Sequence, residues 1–427
     1  MQCRADCDPE ARGSHWRGAT ARKSAPPGSL LCSGGALTAG TPALPADPLS
    51  EQVRTFADEF QLGARSRALD QAPEFPWREF RAMGEAHFLG LHFPESVGGR
   101  GLPLPRVGTL LFHLAYLGGT TFAKLSLQPE FSQVLFDHGG PGMLEQHFRP
   151  LMRGERLIAN QITEPDAGSD VAAAQMEARD LGEQYVLNGT KSEAAFASDA
   201  HAAIVYARVA GSASPEGITA FLVPQDLPGI KRKTIVDLGE RWMRRGTITY
   251  RDVRLPKSGR IGEEGKGFRY VRNELRRERA LLACIYLGVA RASWDETVRY
   301  VGERAAFGRP LSDQEAVAFP LVEDGVELAA AWSYTHSVLE HLQSGEALDG
   351  EAAMAKWLAT EVALKAIDHA IQFHGGRGYS TALPHEQRWR DVRSGKIAHG
   401  TSEIMHLVAS RATWPPARPD RPPTPGT

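Results

Sequence analysis

Active centres are built from histidine, cysteine, serine and the carboxylates, and their spacing here excludes more than it offers. The fourteen histidines show no ligand spacing and no HExxH occurs, so a zinc hydrolase lacks its signature and no metal site is expected. Of the four cysteines, Cys3, Cys7 and Cys32 sit in a Pro/Gly/Ser-rich leader and only Cys284 lies in the body. None forms CxxC, which removes disulfide scaffolds and cysteine-based zinc modules. No GxSxG elbow is present. No GxGxxG follows a strand and no GxxxxGK[ST] occurs, so the usual nicotinamide and P-loop readings lack their glycines. Asn188-Gly189-Thr190 fits a glycosylation sequon, but Asn-Gly between β-rich runs reads as a hairpin turn. By these motifs alone the chain is an enzyme or binding protein of unspecified chemistry.

The elements that must position any site follow from composition and periodicity. The 427 residues suffice for two or three domains. Forty-nine Lys and Arg against fifty-one Asp and Glu leave a formal charge of −2, which argues against nucleic-acid binding driven by phosphate contacts. No apolar run reaches the ~18 residues of a membrane-spanning helix. Residues 1–46 lack apolar periodicity and any signal-peptide core, and read as a disordered leader. Arg4, Arg12, Arg17, Arg22 and Lys23 would suit a mitochondrial transit peptide. Asp6, Asp8 and Glu10 argue against it, so a cytoplasmic location is expected in preference to the mitochondrial matrix. The proline-rich 414–427 reads as a disordered tail. Between them, 47–155 is helical, with Val53, Phe56 and Phe60 on one face. Residues 156–262 carry short β-rich runs bounded by Gly and Pro, among them EQYVLNGTK, AAIVYARV, GITAFLVP and TITYRDVRLP. Residues 263–413 are helical again, with Leu282, Ile285 and Val289 at spacings of three and four. A further helix carries Met354, Leu358, Val362, Ile367 and Ile371 and stops at Gly375-Gly376.

Several segments, in order, carry a resemblance. ITEPDAGSD (162–170), RAAFGRPLSDQEAV (304–317), QFHGGRGY (372–379) and RDVRSGKIAHGTSEIMHLVASR (390–411) are similar to signature stretches of the acyl-CoA dehydrogenase family, and PESVGGRGLP (94–103) and FPWREFRAMGE match its N-terminal domain. The resemblance covers roughly residues 48–412. It implies an α+β multi-domain fold: an N-terminal helical domain, a middle β domain and a C-terminal four-helix bundle. It also implies FAD bound between the middle domain and the bundle of a homotetramer or homodimer, with a neighbouring subunit contributing. By the same resemblance Thr163, Gly168 and Ser169 meet the flavin and its pyrophosphate, and Arg304 supplies a fixed charge and Phe307 an apolar wall. Gln372, Gly375 and Gly376 make room for the ADP part, and Thr401 lies on the adenosine side. Arg279, Ser169, His399 and Gly400 fall at substrate-binding positions. The implied reaction is FAD-dependent α,β-dehydrogenation of an acyl-CoA or acyl-carrier-protein thioester to the trans-2-enoyl thioester, in fatty-acid or branched-chain acyl metabolism. Electrons would pass to an electron-transfer flavoprotein or to oxygen.

Three departures from the family pattern stand out. Where relatives place an aromatic and a threonine against the flavin, TKSEAAFAS has Glu193 and Ala195, and Phe196 is a candidate to cover the ring instead. The family's glutamine after AFG aligns with Glu315, with Gln314 beside it. Most relatives carry the catalytic glutamate immediately before GTSEI, where this chain has His399. Isovaleryl and long-chain members carry it on the first helix of the last domain, and RRERALLA places Glu278 there, with His399 as its rival for the base. The departures keep two other readings open: a flavin monooxygenase or oxidase on the same fold, and a non-catalytic paralogue that binds an acyl thioester or a partner.

Overall fold

The computed structural model describes residues 47–209, 211 and 217–414, so the leader 1–46 and the tail beyond Trp414 lie outside the described residues. Asp47 opens the first helix, α1 (Pro48–Glu59): its carboxylate accepts the Ser50 N–H at 2.9 Å, and Pro48 stands where a helix needs no donor. Val53 and Phe56 are buried as the periodicity requires, and Phe60 stacks on Phe56 at 4.5 Å from just past the helix end. Gln61 then takes a left-handed conformation and starts α2 (Leu62–Gln71). The remaining N-terminal helices are α3 (Trp77–Glu85), α4 (Leu104–Ser126), α5 (Gln133–His138), α6 (Pro141–Met143) and α7 (Arg149–Met152). Among them α4 runs through the core with most of its surface covered.

The middle domain follows. Its strands are β1 (Ile158–Gln161), β2 (Glu177–Asp180), β3 (Gln184–Ala194), β4 (Ala202–Val209), β5 (Ile218–Pro224), β6 (Ile230–Thr234), β7 (Gly246–Pro256) and β8 (Arg260–Ile261). They form one sheet in the order β6-β7-β3-β2-β4-β5-β8, with β1 added in parallel against β4. The expected hairpin at Asn188-Gly189 is not there. β3 continues straight through it, paired with β7, and only its register slips between Leu187 and Gly189. Gly189 has φ 149°, and a Cβ on it would lie 2.7 Å from Met176 Cγ. The glycine therefore serves a bulge and a close approach, not a reversal. Asn188 bonds across the bulge, accepting the Asp252 N–H at 2.8 Å.

The last domain is α8 (Gly267–Glu303), a small hairpin of β9 (Ala305–Ala306) and β10 (Arg309–Pro310), then α9 (Glu315–Gln343), α10 (Asp349–Phe373), α11 (His385–Arg393) and α12 (Ser402–Thr413). α8 packs between α4 and α10 and buries Leu282, Ile285, Val289, Trp294 and Val301. At Gly288 a Cβ would sit 2.2 Å from the Phe112 carbonyl oxygen, so α4 lies directly against the α8 backbone. α9 keeps Phe319, Val322 and Val326 exposed at spacings of three and four. Among the described residues no helix is long and apolar enough to cross a membrane.

Candidate active site

α8 carries Glu278 into the interior, where its side chain is 5% exposed. One carboxyl oxygen lies 3.5 Å from His399 Nε2, and the other is buried without a hydrogen-bond partner among the described residues. Burial, and then the charge on Glu130, push the Glu278 carboxyl up to about 8, with Arg277 and Arg279 pulling the other way. Glu130 itself goes the opposite way. Burial would raise it, but His92 and Arg277 beside it hold it below the usual range, with Arg277 Nε donating at 2.9 Å. Glu274, one turn before Glu278, is raised well above its ordinary value by burial and by Glu278, and its carboxyl accepts the Val134 N–H.

His399 belongs to the turn that ends in α12. Its φ is 56°, its ring lies 5.2 Å from that of Phe131, and burial followed by the charges on Lys356, Lys124 and Arg279 drive it down to about 3. The imidazole is therefore neutral through the working range. Two cations clamp this turn by its backbone. Lys356, from α10, donates to the Ala398 and Gly400 carbonyls at 2.6 and 2.5 Å, and Arg279 Nε donates to the His399 carbonyl at 3.1 Å. A trans peptide sets N–H opposite C=O, so with the Ala398 carbonyl on Lys356 the His399 N–H points away from that cation. That N–H makes no hydrogen bond among the described residues. Burial, then Arg279 and Lys124, lower Lys356 to about 7. Thr401 caps α12, accepting the Ile404 N–H at 3.3 Å.

The flavin candidates fall in separate places. Thr163 follows β1, half-buried, and its carbonyl accepts the Ser192 N–H at 2.9 Å; Gly168 and Ser169 are exposed at the rim beyond it. Arg304 and Phe307 occupy the hairpin after α8, where Phe307 is 96% exposed and Arg304 has no carboxylate at ion-pair distance among the described residues. Gln372, Gly375 and Gly376 lie at the end of α10, the glycines with open space where a Cβ would stand. The stacked rings of Tyr300 and His374, 4.2 Å apart, bring these last two groups to the same end of the bundle. That end is far from Glu278: 25 residues of α8 separate Glu278 from Glu303, about 37 Å at 1.5 Å per residue.

The departures resolve by geometry. Glu193 takes φ 54° and its half-exposed carboxylate pairs with Arg245 at 3.2 Å, so its charge is turned to a guanidinium at the surface. Phe196 does not stand out to cover a ring. A register slip between Lys191 and Ala194 ends β3, and Phe196, at φ 58°, is buried against Phe75 and Trp242 at 5.6 Å each. Ala195 between them is half-buried. Glu315 is exposed at the start of α9, and Gln314 accepts from Arg309 Nη2 at 2.9 Å with its own amide nitrogen buried and unpartnered among the described residues. The residues fit a flavin dinucleotide: an unpaired guanidinium, a bare aromatic ring and Cβ-free backbone at one end, hydroxyl-bearing backbone at the β rim. Sequence reasoning missed Lys356, Glu130, Arg277 and His92. The legible signal for Lys356 was a lone cation on an otherwise apolar face of α10.

Comparison with known proteins agrees with this architecture. The N-terminal, middle and C-terminal domains of acyl-CoA dehydrogenase match residues 46–155, 159–253 and 265–413. The chain is 33% identical over 378 residues to the probable acyl-CoA dehydrogenase YngJ of Bacillus subtilis, covering 84% of this chain and 96% of that protein. It is 33% identical to the mitochondrial short-chain specific acyl-CoA dehydrogenase of Mus musculus, covering 84% and 88%. The butyryl-CoA dehydrogenase structure from Megasphaera elsdenii superposes with a TM-score of 0.80 at 27% identity, covering 86% of this chain and 98% of that one. The chain belongs to the acyl-CoA dehydrogenase family. It is an FAD-dependent oxidoreductase that dehydrogenates an acyl-CoA.

Proposed function

We propose that Glu278 is the base that removes the α proton of the acyl thioester, in the manner of the isovaleryl and long-chain members. One observation carries this reading: a buried carboxyl with a free oxygen, raised to about 8, facing the clamped His399 turn. A carboxylate in the ordinary range is too weak a base for a thioester α proton, and burial strengthens it as it raises the pKa. The unbonded N–H of His399 is a donor for the thioester carbonyl, and the Lys356–Arg279 clamp holds it in place before substrate arrives. His399, kept neutral by burial and then by the three nearby cations, supplies an imidazole wall beside Glu278 and not the base. When bound, FAD would supply the acceptor for the β hydrogen and its electron pair. Thr163 and Ser169 would hold its ring side, and Arg304, Phe307, Gln372 and Gly375 its dinucleotide side.

The separation along α8 supports a site shared between copies, with the bundle end of one chain serving the Glu278 region of another. The exposed apolar stripe of Phe319, Val322 and Val326 supports a homodimer or homotetramer. Reoxidation is assigned to an electron-transfer flavoprotein or to dioxygen. The test is anaerobic bleaching of the flavin by a panel of acyl thioesters. Glu278→Gln should keep the flavin and slow bleaching at least ~100-fold, the usual scale for loss of a general base, and His399→Gly should cost much less. The reverse order would assign the base to His399.

A further inference from the structure

A cleft opens whose lining includes none of the residues around Glu278. Glu145, Gln146, His147, Pro150 and Arg156, with the edge of the β domain at 198–201, 224–226 and 232, line this cleft of about 710 Å³. A recess of about 410 Å³ beside Trp77 and Arg81 shares its wall at Ser198, Asp199 and His201. Leu157, whose N–H bonds the cleft residue His201, precedes β1, and that strand leads towards Thr163, two residues past its end.

The charges in this cleft do not cancel. Glu145 is taken by Arg149 at 2.6 Å and Asp199 by Arg244 at 2.8 Å. Arg156 and Arg232 line the cleft with no carboxylate at ion-pair distance among the described residues, and the Arg232 guanidinium meets the Ala200 carbonyl at 3.2 Å. Of the acids lining it, Asp226 is left to oppose them. Two imidazoles complete the wall. Burial, and then the charge on Arg156, push both His147 and His201 below the ordinary histidine range, so both rings are neutral at pH 7 and Arg156 acts on each. His201 Nδ1 accepts the Leu157 N–H at 3.2 Å, which leaves the ring proton on Nε2 as a donor. His147 Nδ1 is buried without a partner among the described residues.

We propose that this cleft binds a phosphate-bearing small molecule, with Arg156 and Arg232 on the phosphate and His201 as a neutral donor. Guanidinium forks match phosphate oxygens in pairs, and neutral imidazoles add hydrogen bonds at no cost in repulsion between cations. The cleft exceeds a bare anion and is in the size range of small-molecule pockets, which leaves room for the body of the ligand. The experiment titrates pyrophosphate into the FAD-loaded enzyme by calorimetry at fixed ionic strength set with chloride. One site per chain is expected, weakened at least about ten-fold in Arg156→Ala/Arg232→Ala, the scale of losing charge-assisted hydrogen bonds. Flavin content and melting temperature of the double variant, unchanged in the absence of pyrophosphate, show that it folds. No binding at millimolar pyrophosphate, or binding equal in both proteins, would overturn the proposal. Should the double variant not fold, Arg156→Gln alone must still weaken binding.

Discussion

The pH dependence of flavin reduction separates the two candidate bases without altering a residue. At sub-saturating thioester the second-order rate constant reports the free enzyme, whose groups are those described above. With Glu278 at about 8, its ionised fraction rises from about 1% at pH 6 to about one half at pH 8. The rate constant should then rise about 50-fold across that interval and level off above it. His399, at about 3, is fully neutral at both ends, so a reaction that used it as base would be flat over the same range. The assay is anaerobic stopped-flow loss of flavin absorbance in buffers of constant ionic strength between pH 6 and 9. A flat wild-type profile, or an ascending limb that survives intact in Glu278→Gln, would refute the assignment. The same shift has a stability sign. The folded carboxyl holds its proton between about 4.5 and 8 while the unfolded one releases it, so the contribution of Glu278 to stability falls as pH rises through that window.

Two further outcomes follow from the packing. Lys356→Met leaves the Ala398 and Gly400 carbonyls without their donor; unfolding in urea should show a loss of about 1–3 kcal/mol per unsatisfied group, and turnover should fall with flavin content retained. Phe319→Asp/Val326→Asp places charge in the exposed stripe of α9 and should reduce the mass measured by light scattering, whereas an unchanged mass would show that this stripe is not an interface.

Much of the fold was legible because its signals are local. Asp47-Pro48 announces a helix start, and the apolar spacing along α8 marks the face that is buried. Along α10, by contrast, only Val362 and Ile367 of the five spaced residues are buried, because the face set against the core is largely alanine. Asn188-Gly189 misled because the same dipeptide serves a hairpin and a bulge, and only the partner strands β2 and β7 decide which. Phe196 misled for a related reason: two left-handed residues, Glu193 and Phe196, break the alternation on which facing arguments rest. In the site, Glu278 was readable as one acid in a charged run. What sets its basicity was not, since Glu130 comes from a distant segment, and of the two cations that clamp the His399 turn Lys356 comes from α10.

The length of α8 has a consequence for how the enzyme behaves in dilute solution. One copy holds Glu278 in the first third of a rod whose flavin-ready end lies about 37 Å off, so on the shared-site reading no isolated chain contains a whole centre. Specific activity then becomes a function of chain concentration, and adding FAD should draw monomers together by mass action. Two inactive variants, one lacking Glu278 and one lacking Arg304, should partly rescue each other when co-assembled, because some centres in the mixture take both intact halves.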